Sequence, residues 1–368
     1  MSLLCLVGGG LLAAQGSYQP FGVDVENLDV SKCNHNVGVG CPLVDQAAAA
    51  GAQWMRLFAW WYYLEPSNGS YNLGELPWQI AYAQSKGIQV YLTATWAPPW
   101  ANGAQITCNP VSHGGADCPQ PQDEGATVLN STYTYDFFYN LATQFNGSGG
   151  GYTSSYCGTG SSYNADYCHP LVQYFGTWNE PDGMNNYNDK EYDPYNLGNY
   201  LNDFVNQFLQ PAYNGIKAAN PSAYVVAPEL GTGGSISCGG FSGCGDWQTS
   251  WMKPLQQYFS GYYDIISIHA DQGDHIQAKE NVDAVEQYAG GKYIWVTERD
   301  STSNTASDVT NIYVDQHNRL GYWTKIFYDL GGYGDSCSNP ITLLCSNDGV
   351  TLTQTALFSA YQSVYAPH

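Results

Sequence analysis

The stretch YFGTWNEPDG, residues 174–183, predicts a buried strand with a functional residue at its end. Its first half is aromatic and apolar, and Asn179 and Glu180 follow before a proline and other turn-forming residues. A second stretch, YIWVTERD at 293–300, has the same form and reaches Glu298. A buried strand that stops at a carboxylate followed by a turn brings that charge to an open rim. We therefore expect Glu180 and Glu298 to face a cleft.

The order of apolar and amphipathic runs along the chain predicts an α/β fold. The candidate strands are 21–25, 54–60, 88–95, 172–178, 224–227, 265–269, 293–297 and 324–328. The candidate helices are 42–50, 75–85, 133–145, 197–219, 247–258, 277–288, 307–320 and 353–365. This alternation of eight units predicts a (β/α)8 TIM barrel, and a doubly wound open sheet is the alternative that shares the pattern.

Length and composition agree with one large domain. The chain has 368 residues, a length that α/β barrels reach as single domains, and no linker tract, charge block or repeat divides it. We therefore expect 17–368 to form one catalytic barrel domain. A net charge of −21 with only 11 Lys and Arg argues against nucleic acid and anionic membranes as partners. The aromatic fraction of 15% suits sugar rings, although many of these side chains must fill the core.

The first 16 residues have features of a secretory signal peptide. Two apolar runs, 3–7 and 11–14, are too short to span a bilayer but suit the apolar region of a signal, with cleavage expected near 14–16. The positive charge that usually precedes such a region is not found here. We expect a secreted, extracellular protein.

The cysteines support the same prediction. Apart from Cys5, they form five close pairs along the chain: Cys33 and Cys41, Cys108 and Cys118, Cys157 and Cys168, Cys238 and Cys244, Cys337 and Cys345. Short spacing favours local disulfides that pin loops, whereas zinc sites, the alternative, use tighter CxxC spacing. Glycosylation sequons begin at Asn68, Asn130 and Asn146. We expect a disulfide-pinned monomer.

Polar residues that end the strand runs are the candidate site residues, because barrel enzymes build their sites at the carboxyl ends of the strands. The second run contributes Arg56, the fourth Asn179 and Glu180, the sixth His269 and the seventh Glu298. We expect these side chains to converge in one cleft.

The two glutamates fit the cleavage of glycosidic bonds. A retaining glycosidase needs one protonated carboxyl to assist the leaving oxygen and one ionised carboxylate to attack the anomeric carbon, about 5–5.5 Å apart. Arg56 beside Glu298 would keep it ionised, while the second carboxylate and partly apolar surroundings would raise the pKa of Glu180. Asn179 could hydrogen-bond the 2-hydroxyl of the sugar, and His269 could orient a carboxylate or donate to the sugar.

The supporting residues also have structural interpretations. His269 could be a core histidine bonded to the backbone, and Arg56 could belong to a structural ion pair. Glu229, near the end of the fifth run, competes as a catalytic carboxylate, and we interpret it as binding substrate or supporting the site from behind. The histidines at 35, 113, 169 and 275 lie in polar loops without ligand spacing, so we expect no metal and no cofactor.

Aromatic residues after the second and third runs are candidate platforms for sugar rings. Trp60, Trp96 and Trp100 are the main candidates. Alternate strand residues point to opposite sides of a sheet, so only about half of 60–63 can face the cleft.

The WNEP motif at 178–181, with the WVTE motif at 295–298, resembles the retaining glycoside hydrolases of clan A, including families 5, 30 and 39, with family 39 slightly ahead. The resemblance covers nearly the whole barrel. It implies that Glu180 ends strand 4 as the acid/base and that Glu298 ends strand 7 as the nucleophile. It also makes Trp178, within the first motif, a candidate for substrate binding.

Two positions depart from the pattern of the clan. Its members commonly have a tryptophan ending strand 8 beneath the reacting sugar, whereas this chain offers Tyr328 or Tyr333. Arg299, directly after the expected nucleophile, is unusual as well.

The sequence thus predicts a secreted retaining β-glycoside hydrolase that acts on a poly- or oligosaccharide by double displacement. One alternative is a carbohydrate-binding cell-wall protein that keeps the barrel but hydrolyses little or nothing. Another is a metal-dependent hydrolase, which would normally show clustered His and Asp at the strand ends.

Overall fold

Eight strands form the centre of the computed structural model. The structure describes residues 20–25, 28, 31–33, 40–102, 128, 130–148, 170–181, 197–231, 248–270, 274–300, 305–332, 335–338 and 342–365. The strands are β1 (Phe21–Val25), β2 (Trp54–Trp60), β3 (Gln89–Thr95), β4 (Tyr174–Thr177), β5 (Tyr224–Val226), β6 (Ile266–His269), β7 (Ile294–Arg299) and β8 (Trp323–Asp329). A short antiparallel pair, β9 (Leu344–Cys345) and β10 (Thr353–Gln354), lies near the end of the chain.

All eight central strands pair in parallel and close into a barrel. Their order is β5-β4-β3-β2-β1-β8-β7-β6, so β1 and β8 are neighbours. Parallel bridges from Val226 to Ile265 and from Leu230 to Ile268 join the two outer strands of that order. The predicted (β/α)8 barrel is therefore confirmed, and the open-sheet alternative is wrong.

Helices alternate with the strands and pack around the sheet. They are α1 (Pro42–Ala50), α2 (Trp61–Leu64), α3 (Leu76–Ser85), α4 (Pro99–Asn102), α5 (Ser131–Gln144), α6 (Leu197–Phe204), α7 (Gln210–Ala219), α8 (Lys253–Phe259), α9 (His275–Glu286), α10 (Ala306–His317) and α11 (Ala356–Tyr365). Two π-helical turns, Val205–Leu209 and Gln248–Met252, precede α7 and α8, and a 3-10 turn, Ser260–Tyr262, follows α8.

The predicted helix 353–365 begins later than expected. Thr353 and Gln354 pair with β9, and the helix begins at Ala356 after Thr355. The Thr355 hydroxyl accepts from the backbone N–H of Leu357 at 3.1 Å and of Phe358 at 3.4 Å. This side chain therefore satisfies the first free N–H groups of α11.

Aromatic side chains fill the barrel interior below the carboxyl ends of the strands. Trp54 lies 5.1 Å from Tyr174 and 5.7 Å from Trp295, measured between ring centroids. Tyr91 packs edge-on against Trp295 at 5.5 Å and extends the layer upward. Because β2, β4 and β7 are not neighbours in the sheet, these contacts cross the interior. The barrel is thus a packed core with its functional space at one end.

Two of the predicted disulfides lie within the described residues, and both are present. Cys33 bonds to Cys41 at the start of α1, and Cys337 bonds to Cys345 on β9. The other six paired cysteines, Tyr333 and the predicted signal segment 1–16 lie outside the described residues. Among the helices that the structure describes, none is long and apolar enough to cross a membrane.

One lysine lies at the floor of the barrel among tryptophans. The ammonium of Lys325, on β8, is 4.2 Å from the ring centroid of Trp54 and 5.7 Å from that of Trp295. Burial lowers the pKa of Lys325 to about 7. Below neutral pH the folded protein therefore carries the charge of Lys325 in a poorly solvated position, and cation–π contact offsets the cost of its burial only in part.

Replacement of this lysine should stabilise the protein at and below neutral pH. The unfolded chain keeps the Lys325 proton up to about pH 10.4, whereas the folded chain releases it near pH 7, so wild-type stability should rise with pH across that window. We expect Lys325→Met to raise the free energy of unfolding by about 1–3 kcal/mol at pH 6 and by much less at pH 10. Urea unfolding at both pH values measures this, with the surface variant Lys279→Met as control. An equal pH slope in wild type and Lys325→Met would contradict the prediction.

Candidate active site

The structure brings the five predicted polar residues together in one cluster, four of them from the carboxyl ends of strands and Arg56 from within a strand. Arg56 lies in β2, Asn179 and Glu180 follow β4, His269 ends β6 and Glu298 lies near the end of β7. Their side chains touch one another through hydrogen bonds and ion pairs. The predicted convergence is therefore seen in the structure.

Arg56 is the centre of the cluster. Its fully buried guanidinium donates to Asp24 at 2.8 Å, to Glu298 at 3.1 Å and to Asn179 at 2.6 Å, and it donates twice to Glu229. Burial by itself would lower the pKa of Arg56, but these carboxylates raise it well above its usual value. One fixed cation thus orients residues from four other strands or strand ends.

Glu229 is the fully buried counter-charge below Arg56. Its Oε1 accepts from the Nε of Arg56 at 3.2 Å, from the Thr93 hydroxyl at 2.7 Å and from the Tyr91 hydroxyl. Burial would raise the pKa of Glu229, but Arg56 and His269 together lower it to about 2. This carboxylate therefore stays ionised and has no open face toward a cleft.

His269 connects the two candidate catalytic carboxylates. Its buried Nδ1 lies 3.0 Å from Oε1 of Glu180 and 3.6 Å from Oε2 of Glu298, and its Nε2 lies 3.9 Å from Glu229. Burial would lower the pKa of His269, but these three carboxylates raise it well above its usual value. The raised pKa favours the protonated ring in the free protein, and the alternative of a backbone-bonded core histidine does not describe the side chain.

The pKa of Glu180 is shifted in the opposite direction from the prediction. Its side chain is 30% exposed. Burial would raise the pKa of Glu180, but the hydrogen bond and charge of His269, with Arg56, lower it. The predicted rise in the pKa of Glu180 is therefore wrong for the free protein, because the sequence did not reveal that an imidazolium would touch this carboxylate.

Glu298 is the second carboxylate that reaches solvent, with 22% of its side chain exposed. The register between β6 and β7 shifts between Ile268 and His269, so that His269 faces Glu298. Such irregularities re-aim side chains next to active sites. Because Nδ1 of His269 contacts both Glu180 and Glu298, the two carboxylate oxygens cannot be further apart than the sum of those contacts.

The backbone around the WNEP motif adopts left-handed conformations. Trp178 has φ 88° and Glu180 has φ 46°, values that L-residues rarely adopt. The segment is held by backbone bonds from the Glu180 N–H to the Glu229 carbonyl at 2.8 Å and from the Glu229 N–H to the Trp178 carbonyl at 3.0 Å. Gly231 leaves room for this arrangement, since a Cβ there would lie 2.8 Å from Oε1 of Glu180. Such strain is typical of sites where a side chain must be held in place.

The predicted sugar platforms divide into two groups. Trp60 and Trp96 are partly exposed, and their ring centroids lie 4.7 Å apart. The Trp60 ring also stacks on Phe58, whose ring in turn contacts the guanidinium of Arg56. Trp100 is partly exposed as well, but its indole N–H donates to the Glu65 carbonyl at 2.9 Å, which ties it to a loop. Trp60 and Trp96 therefore remain the candidates at the rim.

Two predicted substrate contacts, Trp178 and Tyr328, need correction, and for Glu229 the structure favours one of the two predicted roles. Trp178 is fully buried and packs edge-on against Phe208 at 4.7 Å, outside the barrel interior. Tyr328 is also buried, and it packs against Tyr361 of α11 at 5.7 Å. Glu229 is buried against Arg56, which agrees with the predicted alternative that it supports the site from behind and does not contact substrate. The left-handed backbone at Trp178 and the outward direction of Tyr328 on β8 explain why motif membership and strand position misled the prediction.

Several residues that support the site were not predicted from the sequence. Asp24 binds Arg56, and Tyr91 and Thr93 hold Glu229. Asp24 had a visible signal, because it is an acidic residue within the apolar strand FGVDV. Asp329, its register partner on β8, has a raised pKa because of burial and the charge of Asp24.

Arg299 has a structural role. It is buried, donates to Asp308 of α10 at 2.7 Å and also donates to the Ala270 carbonyl. This ties the end of β7 to a neighbouring helix and points the side chain away from Glu298. The unusual arginine after the expected nucleophile therefore contributes to packing around the barrel.

Comparison with solved structures shows that the fold is that of glycoside hydrolase barrels. A family 39 glycoside hydrolase from the gut symbiont Bacteroides cellulosilyticus WH2 is 17% identical, with a TM-score of 0.59, over 95% of this chain and 63% of that chain. Native xylanase 10B from Thermotoga maritima is 12% identical, with a TM-score of 0.57, over 95% of each chain. The GH53 catalytic domain of Ignisphaera aggregans is 16% identical, with a TM-score of 0.56, over 95% of this chain and 96% of that chain.

These similarities establish a shared fold, and the expected resemblance to clan A barrels is confirmed at that level. The chain spans less than two thirds of the family 39 protein. No protein-family model matches the chain, and no curated protein matches it.

Removal of the buried charge below Arg56 should destabilise the fold. We expect Glu229→Gln to lower the free energy of unfolding at pH 7 by about 3–5 kcal/mol, because Arg56 would lose a buried partner. Asp283→Asn, which removes a partly exposed carboxylate paired with Arg319, should cost less than about 1 kcal/mol.

The effect should depend on pH with a defined sign. The contribution of Glu229 is fully present above the pKa of an unfolded glutamate and is lost as pH falls toward about 2. The difference between wild type and Glu229→Gln in urea unfolding should therefore narrow on acidification. Equal stability losses in the Glu229 and Asp283 variants at pH 7 would contradict this prediction.

Proposed function

We propose that this protein is a retaining β-glycoside hydrolase that cleaves poly- or oligosaccharides by double displacement. The observation that carries the proposal is the pair of partly exposed carboxylates, Glu180 and Glu298, that one buried nitrogen of His269 contacts at 3.0 and 3.6 Å. That arrangement is compatible with the carboxyl separation of about 5–5.5 Å in retaining enzymes. The shared barrel of a family 39 glycoside hydrolase and of a xylanase supports the same class.

Glu298 is the nucleophile in this proposal. Its carboxylate attacks the anomeric carbon while the bond to the leaving oxygen breaks, which forms a glycosyl ester. Arg56 donates to Oε2 of Glu298 and holds the carboxylate in place. Asn179, bonded to the same guanidinium at 2.6 Å, is placed to donate its amide to the sugar 2-hydroxyl.

Glu180 is the acid and then the base, and it works as a pair with His269. In the free protein the pair holds its proton on the imidazole, because three carboxylates surround the ring. As the ester bond forms, Glu298 loses its negative charge, and in the same step the proton passes from the imidazole through Glu180 to the leaving oxygen as its bond to the anomeric carbon breaks. In the second step Glu180 takes a proton from water, the water oxygen attacks the anomeric carbon, and the bond to Glu298 breaks.

The proposal also includes secretion, stacking of sugar units on the rim tryptophans, and a monomeric state. The two disulfides support secretion into an oxidising compartment. The Trp60 and Trp96 rings are proposed to stack on sugar units beside the cleavage point. The protein would act as a monomer, and neither acid–base nor nucleophilic step calls for a cofactor.

Variants of the two glutamates test the roles separately. We expect Glu298→Gln to lose hydrolysis of every substrate by at least about three orders of magnitude. Glu180→Gln should lose about 10²–10⁴-fold on polysaccharides, yet form the glycosyl ester rapidly from dinitrophenyl β-glycosides, whose leaving group needs no proton. Initial rates and burst kinetics on glucan, xylan, mannan, galactan and the matching aryl glycosides measure this. Wild-type turnover in Glu298→Gln would rule out the proposed nucleophile.

The pH dependence tests the role of His269 as a positioning residue that holds the proton. Glu180, Glu229 and Glu298 face the ring, and together they raise its pKa while the pKa of Glu180 is lowered. In wild type the basic limb of the kcat/KM profile should therefore report loss of the proton shared by His269 and Glu180. Its midpoint should lie at a higher pH than the ordinary pKa of a glutamate.

Replacement of the ring should move that limb. In His269→Gln the proton must reside on Glu180 itself, so the basic limb should shift toward acid by at least about one pH unit. Gln277→Ala, on the exposed side of α9, serves as a matched control that should leave the profile unchanged. If His269→Gln loses activity without moving the basic limb, the ring has only a packing role.

A further inference from the structure

A polar groove lies on the outside of the barrel between two helical segments. It is lined by Ser131, Thr132 and Tyr135 of α5 and by residues of the π-helical turn and α7 that include Asn206, Gln210 and Asn214. Its volume is about 350 Å³. Helices of a (β/α)8 barrel run opposite to the strands, so the N-terminal turn of α5 points to the same end of the barrel as the candidate active site.

The groove has a fixed shape because its walls are locked together. The π-helical turn Val205–Leu209 displaces Asn206 from regular helical register, and the Thr134 hydroxyl donates to the Gln207 carbonyl at 2.7 Å. Gly215 allows α7 to pack against the backbone of α5, since a Cβ there would collide with the Tyr135 carbonyl. π-Helical turns cost regular hydrogen bonds and are frequently kept at functional sites.

The chemistry of the lining is unusual for this chain. Every side chain that lines the groove is uncharged, although the protein has 32 acidic residues and a net charge of −21. Hydroxyl and amide groups on both walls can donate and accept hydrogen bonds. Such a lining fits a neutral ligand rich in hydroxyl groups and offers no counter-charge for an ionic one.

Two tyrosines add an aromatic surface beside the groove. The rings of Tyr135 and Tyr139, one helical turn apart on α5, lie 6.0 Å apart with an angle of 14° between their planes. Tyr139 is 40% exposed, and the Tyr135 ring is partly exposed. Because the two rings are stacked on each other, the pair presents a flat aromatic face on which a sugar unit can stack.

We propose that this groove is a second, non-catalytic binding site for a neutral polysaccharide chain, the same substrate that enters the cleft. The inference rests on the proposed function for the identity of the ligand. Its role would be to hold a distant part of a long chain and thereby raise the local concentration of cleavable bonds at the active site. Substrates of one or two sugar units would gain nothing from it.

Binding and catalysis can be separated in the test. In the inactive Glu298→Gln background, Tyr135→Ala should weaken the binding of the hydrolysed polysaccharide about 3- to 10-fold, measured by affinity electrophoresis in gels that contain glucan, xylan, mannan or galactan. In the active background, the ratio of kcat/KM on polysaccharide to kcat/KM on an aryl glycoside should fall by a similar factor. Tyr258→Ala, which removes a 68% exposed tyrosine elsewhere on the surface, is the matched control.

A second variant guards against misfolding. If Tyr135→Ala fails to fold, the exposed pair Asn206→Ala and Asn214→Ala carries the test, because neither side chain contributes to the core. If the groove variants bind polysaccharide as tightly as Tyr258→Ala does, the proposed groove site is wrong. If the wild-type protein binds polysaccharide without hydrolysing it, only the proposed function is wrong.

A competing occupant is a glycan attached to Asn130, whose sequon includes Ser131 and Thr132. Asn130→Asp keeps the cap that accepts from the Thr132 N–H at 2.9 Å but removes the attachment point. If polysaccharide binding in the glycosylated wild type is absent and appears only in Asn130→Asp, the groove holds the attached glycan, and the proposal is wrong.

Discussion

A single buried cation organises the carboxyl end of this barrel. The guanidinium of Arg56 has no exposed surface, so its charge is tolerated only because acidic and amide side chains surround it. Asp24, Glu229 and Glu298 come from separate strands or strand ends, and each must be in place for the cation to be satisfied. Correct closure of the barrel and correct assembly of the candidate site are therefore the same physical event.

The fold could be predicted from sequence because it follows from local patterns. β1 and β2 agree with prediction at both ends, because both are runs rich in apolar and aromatic residues. The π-helical turn at 205–209 could not be predicted, because it depends on contacts such as that between Thr134 and Gln207, which lie far apart in the chain. The β9–β10 pair was missed because each strand has only two residues.

The candidate site was predictable in membership but not in electrostatics. Residue type and strand position selected Arg56, Asn179, Glu180, His269 and Glu298, and all five meet. The direction of a pKa shift depends on which charge lies nearest, and distances of 3.0 and 3.6 Å to one imidazole cannot be read from sequence spacing. The predicted side-chain directions of Trp178 and Tyr328 were also wrong. A strained backbone decides the direction of Trp178, and the alternation of side chains along a strand decides that of Tyr328.

The charges in the cluster divide into a fixed layer and a variable layer. Arg56 has a raised pKa and Glu229 has a pKa of about 2, so neither can change its charge during turnover. In the proposed mechanism, the proton therefore moves among the groups above them, from the imidazole of His269 to Glu180 and the leaving oxygen. A fixed layer keeps the positions of these groups constant while their charges change, which lowers the reorganisation needed in each step. In the proposed mechanism, Arg56 and Glu229 would contribute through the geometry they impose, and the acid–base chemistry would belong to the pair of His269 and Glu180.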